Sequence, residues 1–306
     1  MRGLGVILVF GGLACRAGTQ TAPPTSISAP ASDGNGQPGA QRIAFQRAFG
    51  LLFVEVQPPS RAPILALVDT GASASAVDPR CAHDLPAIGR GEVVGTTGSL
   101  AAENVALEGW KLGALELPVL RATRRDLSGL LAPEGRIVEM ILGSDALAGR
   151  AVTIDFRAGT IELATGSVSS ADGVPMVLDN GIPAIPATLA GVETWLRIDT
   201  GASLFESGDV YVNVPATTWE ALRARHPTLA PSSRLQGTGA SGEAVELPVV
   251  RLPGARIAAA DFESVFVIVQ PRAGYFAQAD AKGFVGNNFL EKLGRVTLDY
   301  AGGRFR

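Results

Sequence analysis

Leu65-Ala66-Leu67-Val68-Asp69-Thr70-Gly71-Ala72-Ser73 and Trp195-Leu196-Arg197-Ile198-Asp199-Thr200-Gly201-Ala202-Ser203 are two copies of one pattern, a run of mostly apolar residues leading into Asp-Thr-Gly-Ala-Ser. Outward from these copies the likeness continues. Met140-Ile141-Leu142-Gly143-Ser144-Asp145-Ala146-Leu147 matches Gly283-Phe284-Val285-Gly286-Asn287-Asn288-Phe289-Leu290. Each half then closes alike, with Val152-Thr153-Ile154-Asp155-Phe156 set against Val296-Thr297-Leu298-Asp299-Tyr300. The order is kept, and the spacing nearly so: Asp69 precedes Gly143 by 74 residues, and Asp199 precedes Gly286 by 87. A chance Asp-Thr-Gly arises about once in 10⁴ positions at average residue usage. Two five-residue identities, each followed by the same two blocks, mark an internal duplication.

The segments around the blocks read as strands. Leu51–Val56 and Pro63–Val68 are apolar, partly β-branched and separated by prolines. Residues 94–99 (VGTTGS) and 236–242 (QGTGASG) read as hairpin tips. Short helices are predicted at 78–85, where Asp78 can N-cap and Pro79 suits the first turn, and at about 217–225. The fold class expected is all-β, in two related lobes: residues 43–164 with the first Asp-Thr-Gly loop and 175–306 with the second. The Ser/Gly-rich stretch from Ala164 to Val174 links them.

Composition narrows the partners. The 306 residues are 46% hydrophobic and 18% charged, with 37 glycines, 20 prolines and a formal net charge of −3. No basic cluster offers a footprint for nucleic acid. Two histidines and two cysteines at scattered positions do not form a metal-ligand pattern, so neither metal nor cofactor is expected. Met1-Arg2 followed by the apolar run Leu4–Leu13 reads as a secretory signal, too short to span a bilayer. Gly11-Gly12-Leu13-Ala14-Cys15 resembles a bacterial lipoprotein cleavage box, which implies lipidation of Cys15, although Gly12 stands where that motif prefers a larger aliphatic residue. Residues 16–42, rich in Pro, Ser, Gly and Ala, read as a flexible tether. The expected location is the cell envelope, on a lipid anchor facing the periplasm or in the outer membrane, with plain secretion the alternative.

One Asp-Thr-Gly loop is ordinary turn chemistry. Two related by a pseudo-twofold axis would set Asp69 and Asp199 side by side. Like charges that close cannot both ionise, so the pair shares a proton. The ionised carboxylate can then act as general base on water while the protonated one polarises a carbonyl. Gly71 and Gly201 let the chain turn sharply, and the Thr70 and Thr200 hydroxyls can brace the loops.

In these residues each half resembles a unit of the pepsin/retropepsin superfamily of aspartic peptidases, over residues 44–306. The resemblance implies a bilobal fold with a cleft between the lobes, peptide-bond hydrolysis by Asp69 and Asp199, and a peptide or protein substrate. It also implies a hairpin flap, with Gly95, Thr96, Thr97 and Gly98 as substrate-side residues. With both lobes in one chain, the expected state is a monomer. Two features depart from the pepsin-like pattern: the first-half flap has no tyrosine, and alanine (Ala72, Ala202) follows each glycine, as in retroviral enzymes. The alternative function is a catalytically silent lipoprotein that binds peptide or envelope polymer.

Other signals yield. Gly237–Gly242 fits G-x-G-x-x-G, but an alternating stretch follows where a dinucleotide site needs a helix. A G-x-S-x-G elbow is absent. Cys81 reads as a buried structural thiol, and Asp145, Asp155 and Asp299 as turn or backbone partners.

Overall fold

The computed structural model describes residues 40–168, 172–204, 208–238 and 244–306. The duplicated sequence forms duplicated topology. In the first lobe Ile64–Val68, buried at every position, pairs antiparallel with Leu51–Gln57 and parallel with Met140–Leu142. In the second, Val192–Ile198 pairs antiparallel with Ile182–Leu189 and parallel with Gly283–Val285. The correspondence extends one strand further: Met140–Leu142 runs antiparallel to Ala76–Val77, and Gly283–Val285 runs antiparallel to Tyr211–Val214. A strand buried on both faces reads as a continuous apolar run, as Ile64–Val68 does, whereas Val192–Ile198 is mixed in sequence and fully buried only at Leu196 and Ile198.

Each lobe thus has its own sheet, of ten strands in the first and eight in the second. A third sheet of six strands takes members from both halves, in the order Gln41–Ala44, Thr160–Thr165, Arg150–Asp155, Arg295–Asp299, Arg304–Phe305, Val174–Pro175. At its centre Thr153 lies opposite Thr297, with their hydroxyls 2.8 Å apart. These threonines are equivalent in the repeat, and a twofold axis through the pair requires equivalent residues to face each other. The axis therefore passes between Arg150–Asp155 and Arg295–Asp299.

Local readings meet their structures as follows. The strand Gln41–Ala44 lies against Thr160–Thr165, so pairing begins inside the stretch read as tether: Gln41 and Arg42 carry backbone partners that composition does not register. The helix predicted at 78–85 is a single turn, Pro79–Ala82, capped by the Asp78 side chain on the Arg80 N–H. The later helix spans Ala216–Arg225. Ser233–Thr238 and the strand Ala244–Ile257 pair as a hairpin, with Thr238 opposite Ala244, so a strand stands where a dinucleotide site needs a helix. The tip of that hairpin and the leader with Cys15 lie outside the described residues.

Candidate active site

The two Asp-Thr-Gly loops meet at the junction of the lobes. Each aspartate is anchored through its own backbone: Asp69 N–H donates to Leu142 O at 3.0 Å, and Asp199 N–H to Val285 O at 2.9 Å. A tight turn follows in both, with Ala72 N–H on Asp69 O and Ala202 N–H on Asp199 O, each at 3.2 Å. Asp69 Oδ1 accepts from Gly71 N–H (2.9 Å) and Ala72 N–H (3.1 Å).

The threonines brace across the lobes as well as along them. Thr70 N–H donates to Thr200 Oγ1 at 3.0 Å, and Thr200 N–H to Thr70 Oγ1 at 3.1 Å. Each hydroxyl then donates to the opposite strand, Thr70 Oγ1 to Ile198 O and Thr200 Oγ1 to Val68 O, both at 2.7 Å. A hydroxyl that both donates and accepts locks two backbones with one atom. The glycines serve the opposite loop too. A Cβ on Gly71 would lie 2.3 Å from Asp199 Cγ, and one on Gly201 2.4 Å from Asp69 Cγ. Each glycine is the space the other aspartate occupies.

Both aspartates are buried, Asp69 at 0% and Asp199 at 7% exposure. The two carboxyls lie close together, each packed against the glycine of the opposite loop. Asp69 Oδ2 and Asp199 Oδ1 have no N–H or O–H donor from the rest of the described residues. Two carboxylates this close and this buried cannot both ionise easily, which favours one proton on the pair. Burial raises Asp69 above the usual aspartate range against the pull of its hydrogen bonds and of the Arg125 charge. Burial and then the Asp69 charge raise Asp199 further. A pair so arranged can share one proton and leave one carboxylate free to act as base.

A supporting layer repeats in both lobes with different residues. Ser144 Oγ donates to Thr70 O at 2.8 Å, and the Tyr300 hydroxyl supplies a donor to Ser144 at 3.0 Å. At the equivalent place Asn287 Nδ2 donates to Thr200 O (2.8 Å) and Gly50 O (2.9 Å). Asp145 accepts from Ser75 Oγ at 2.7 Å, and its counterpart Asn288 accepts from Leu204 N–H at 2.7 Å. Asp145 thus does the loop work expected of it. Asp155 accepts from the Arg157 and Ala158 N–H groups, and Asp299 from that of Gly302. The roles of Ser144 and Asn287 are invisible in sequence, because two different side chains meet one need. Gly143 and Gly286 are glycine for contact reasons: a Cβ there would meet Ala74 C at 2.8 Å or Ala202 O at 2.2 Å.

Over the dyad lies the hairpin Ala87–Val94 and Ser99–Leu107, with Val94 opposite Ser99 and Gly95 N–H on Gly98 O at 2.8 Å. Gly95, Thr96, Thr97 and Gly98 are its tip. Gly71, Asp199, Val94, Gly95, Thr96 and Tyr275 border a cavity of about 60 Å³ beneath it, completed by Arg197 and Phe284. The tip rests on the second lobe, where Tyr275 N–H donates to Gly95 O at 2.9 Å. Tyr275, from the facing lobe, also lines the cavity. Cys81 stands apart from the site, buried, with burial pushing its thiol up to about 11, which suits a structural residue and not a nucleophile.

Residues 55–146, which hold Asp69 and Gly143, match the family described as aspartyl protease. Among solved structures, the aspartic proteinase from Irpex lacteus is 13% identical, with 87% of this chain and 96% of that one covered and a TM-score of 0.47. No curated protein matches the sequence.

Proposed function

From the match of residues 55–146 to the aspartyl protease family, we propose that this chain is an endopeptidase using Asp69 and Asp199 as a proton-sharing pair. The observation that carries this reading is the buried carboxyl pair, with Asp69 Oδ2 and Asp199 Oδ1 unclaimed by any other donor among the described residues and each loop built around the opposite aspartate. Such a pair binds a water between its oxygens. The ionised carboxylate takes a proton from that water as its oxygen attacks the peptide carbonyl, and the protonated carboxyl donates to the carbonyl oxygen. Collapse of the tetrahedral intermediate expels the amine, which receives a proton from the pair. The flap excludes bulk water during these steps.

The test is cleavage of a peptide library by the natural protein and by the Asp69→Asn and Asp199→Asn variants. Each substitution is expected to lower kcat by about 10²–10⁴-fold or more, the span of general acid–base contributions, while circular dichroism stays unchanged. A variant with near-natural activity would exclude the shared-proton mechanism. Binding of peptide with no cleavage by the natural protein would favour the silent-binder reading.

A further inference from the structure

Leu67 and Arg197 occupy equivalent positions in the two copies, each two residues before its aspartate. Leu67 is an ordinary core residue, packed in a cluster with Leu51, Phe53 and Ile141. Arg197 instead lines the cavity between the dyad and the flap. A buried cation in place of a core leucine calls for a reason, since removing an arginine from water costs several kcal/mol unless partners compensate.

The guanidinium is held from two sides. Nε and Nη2 both lie 2.8 Å from Asp179 Oδ2, and the group sits 3.7 Å from the centre of the Tyr275 ring. Asp179 is shared further: Lys282 Nζ lies 3.4 Å from its Oδ1, and the Tyr275 hydroxyl donates to Oδ2 at 3.2 Å. Two cations therefore share one carboxylate, leaving one net positive charge. The side chains of Arg197, Asp179 and Lys282 are only 11%, 14% and 24% exposed, so water screens this charge weakly. Burial alone would raise Asp179, but the Arg197 hydrogen bond and the two cations outweigh it and hold the carboxyl ionised. Nη1 of Arg197 has no protein acceptor among the described residues. The arginine is thus fixed in orientation, backed by a ring, over-provided with positive charge, and carries a free donor edge beside Asp199.

We propose that Arg197 forms a specificity subsite that takes an acidic side chain, Asp or Glu, at one of the positions flanking the cleaved peptide bond. An arginine edge matches a carboxylate in geometry as well as charge. The subsite rests on the endopeptidase reading above. Entry of a substrate requires the flap to lift from Tyr275, because the tip rests on that residue through the Tyr275 N–H to Gly95 O bond.

The test starts from a proteome-derived peptide library and then uses the best-cleaved decapeptide with Glu or Gln at the position in question. Natural protein is expected to favour Glu over Gln by about tenfold to a hundredfold in kcat/KM, the range for a hydrogen bond to a charged group. Arg197→Met should abolish that preference while still cleaving the Gln peptide, since Asp179 keeps Lys282 and Tyr275 as partners. Asp179→Asn adds positive charge and should preserve or sharpen the preference. A merely structural ion pair would make the two variants behave alike. Equal cleavage of Glu and Gln peptides by the natural protein overturns the subsite, as does a preference that survives Arg197→Met. Cuts confined to the last residues of peptides would assign the carboxylate to a chain end and overturn the side-chain assignment. If nothing is cleaved, immobilised Asp69→Asn protein is used to retain peptides from the same library. Enrichment of acidic residues, lost with Arg197→Met, would then uphold the subsite while the endopeptidase reading fails. Unbiased retention, or none, overturns the subsite.

Discussion

Ala72 and Ala202 matter for what they do not offer. Asp69 Oδ1 is held by the backbone N–H groups of Gly71 and Ala72, and no side-chain hydroxyl reaches either aspartate among the described residues. A hydroxyl donor would favour the charged form and lower its pKa. With burial raising both carboxyls and nothing of that kind opposing it, the pair keeps its shared proton to higher pH. On the proposed mechanism the singly protonated pair is the active form, and both limbs of the pH–rate bell would follow its two apparent pKa values. The optimum is therefore expected in weakly acidic conditions, and the Ala72→Ser/Ala202→Ser protein should shift the whole bell to lower pH. A pH–rate curve for both forms on one peptide decides this. An optimum confined to strongly acidic pH, or no shift in the double variant, refutes it.

The flap is an element whose position depends on its partner. Gly274 opens the 3₁₀ turn Gly274–Ala277 with φ +49°, and a Cβ there would lie 2.4 Å from Gly95 O and 2.8 Å from Gly98 N. The left-handed backbone and the contact both favour glycine. Tyr275, next in sequence, makes the hydrogen bond to Gly95 O and stacks under Arg197. One turn thus latches the flap and backs the cavity. Gly274→Val should displace the tip, raising amide hydrogen exchange at residues 94–99 severalfold while the lobe cores keep their protection. It should also lower kcat/KM through poorer exclusion of water. Unchanged exchange at the tip would show that the latch does not hold it.

For the whole molecule, the third sheet decides how the lobes meet. Because Arg150–Asp155 pairs directly with Arg295–Asp299, the halves cannot separate without breaking a ladder. The dyad geometry is thereby tied to continuous backbone pairing, on top of the threonine brace. The leader adds a question of place. With the first described strand beginning at Gln41, lipid on Cys15 would leave residues 16–40 to hold the cleft away from a bilayer. On that proposal Cys15→Ser protein should move from the membrane fraction to the soluble envelope fraction, because a single signal sequence without lipid does not anchor. Identical fractionation of both forms would leave plain secretion.

The duplication and the strand-then-turn form of the Asp-Thr-Gly segments were legible from residues 65–73 and 195–203, because local patterning encodes strand, turn and repeat before any packing occurs. The hairpin tip at residues 94–99 was legible from its glycines for the same reason. Other features belong to contacts between residues far apart in the chain. Thr70 and Thr200 grip the opposite loop across 130 residues, and Ser144 and Asn287 do one job with unlike side chains. Tyr275, from the second lobe, lines the cavity beneath the first lobe's hairpin and holds its tip by a backbone bond. Arg197 reads in sequence as one of several polar interruptions, with Glu193 and Thr194, in its strand. Only the fold, by placing Asp179, Lys282, Tyr275 and Asp199 around it, turns that interruption into a charged wall of the cleft. Periodicity reports which face of a strand is buried, whereas what meets that face is decided by tertiary packing.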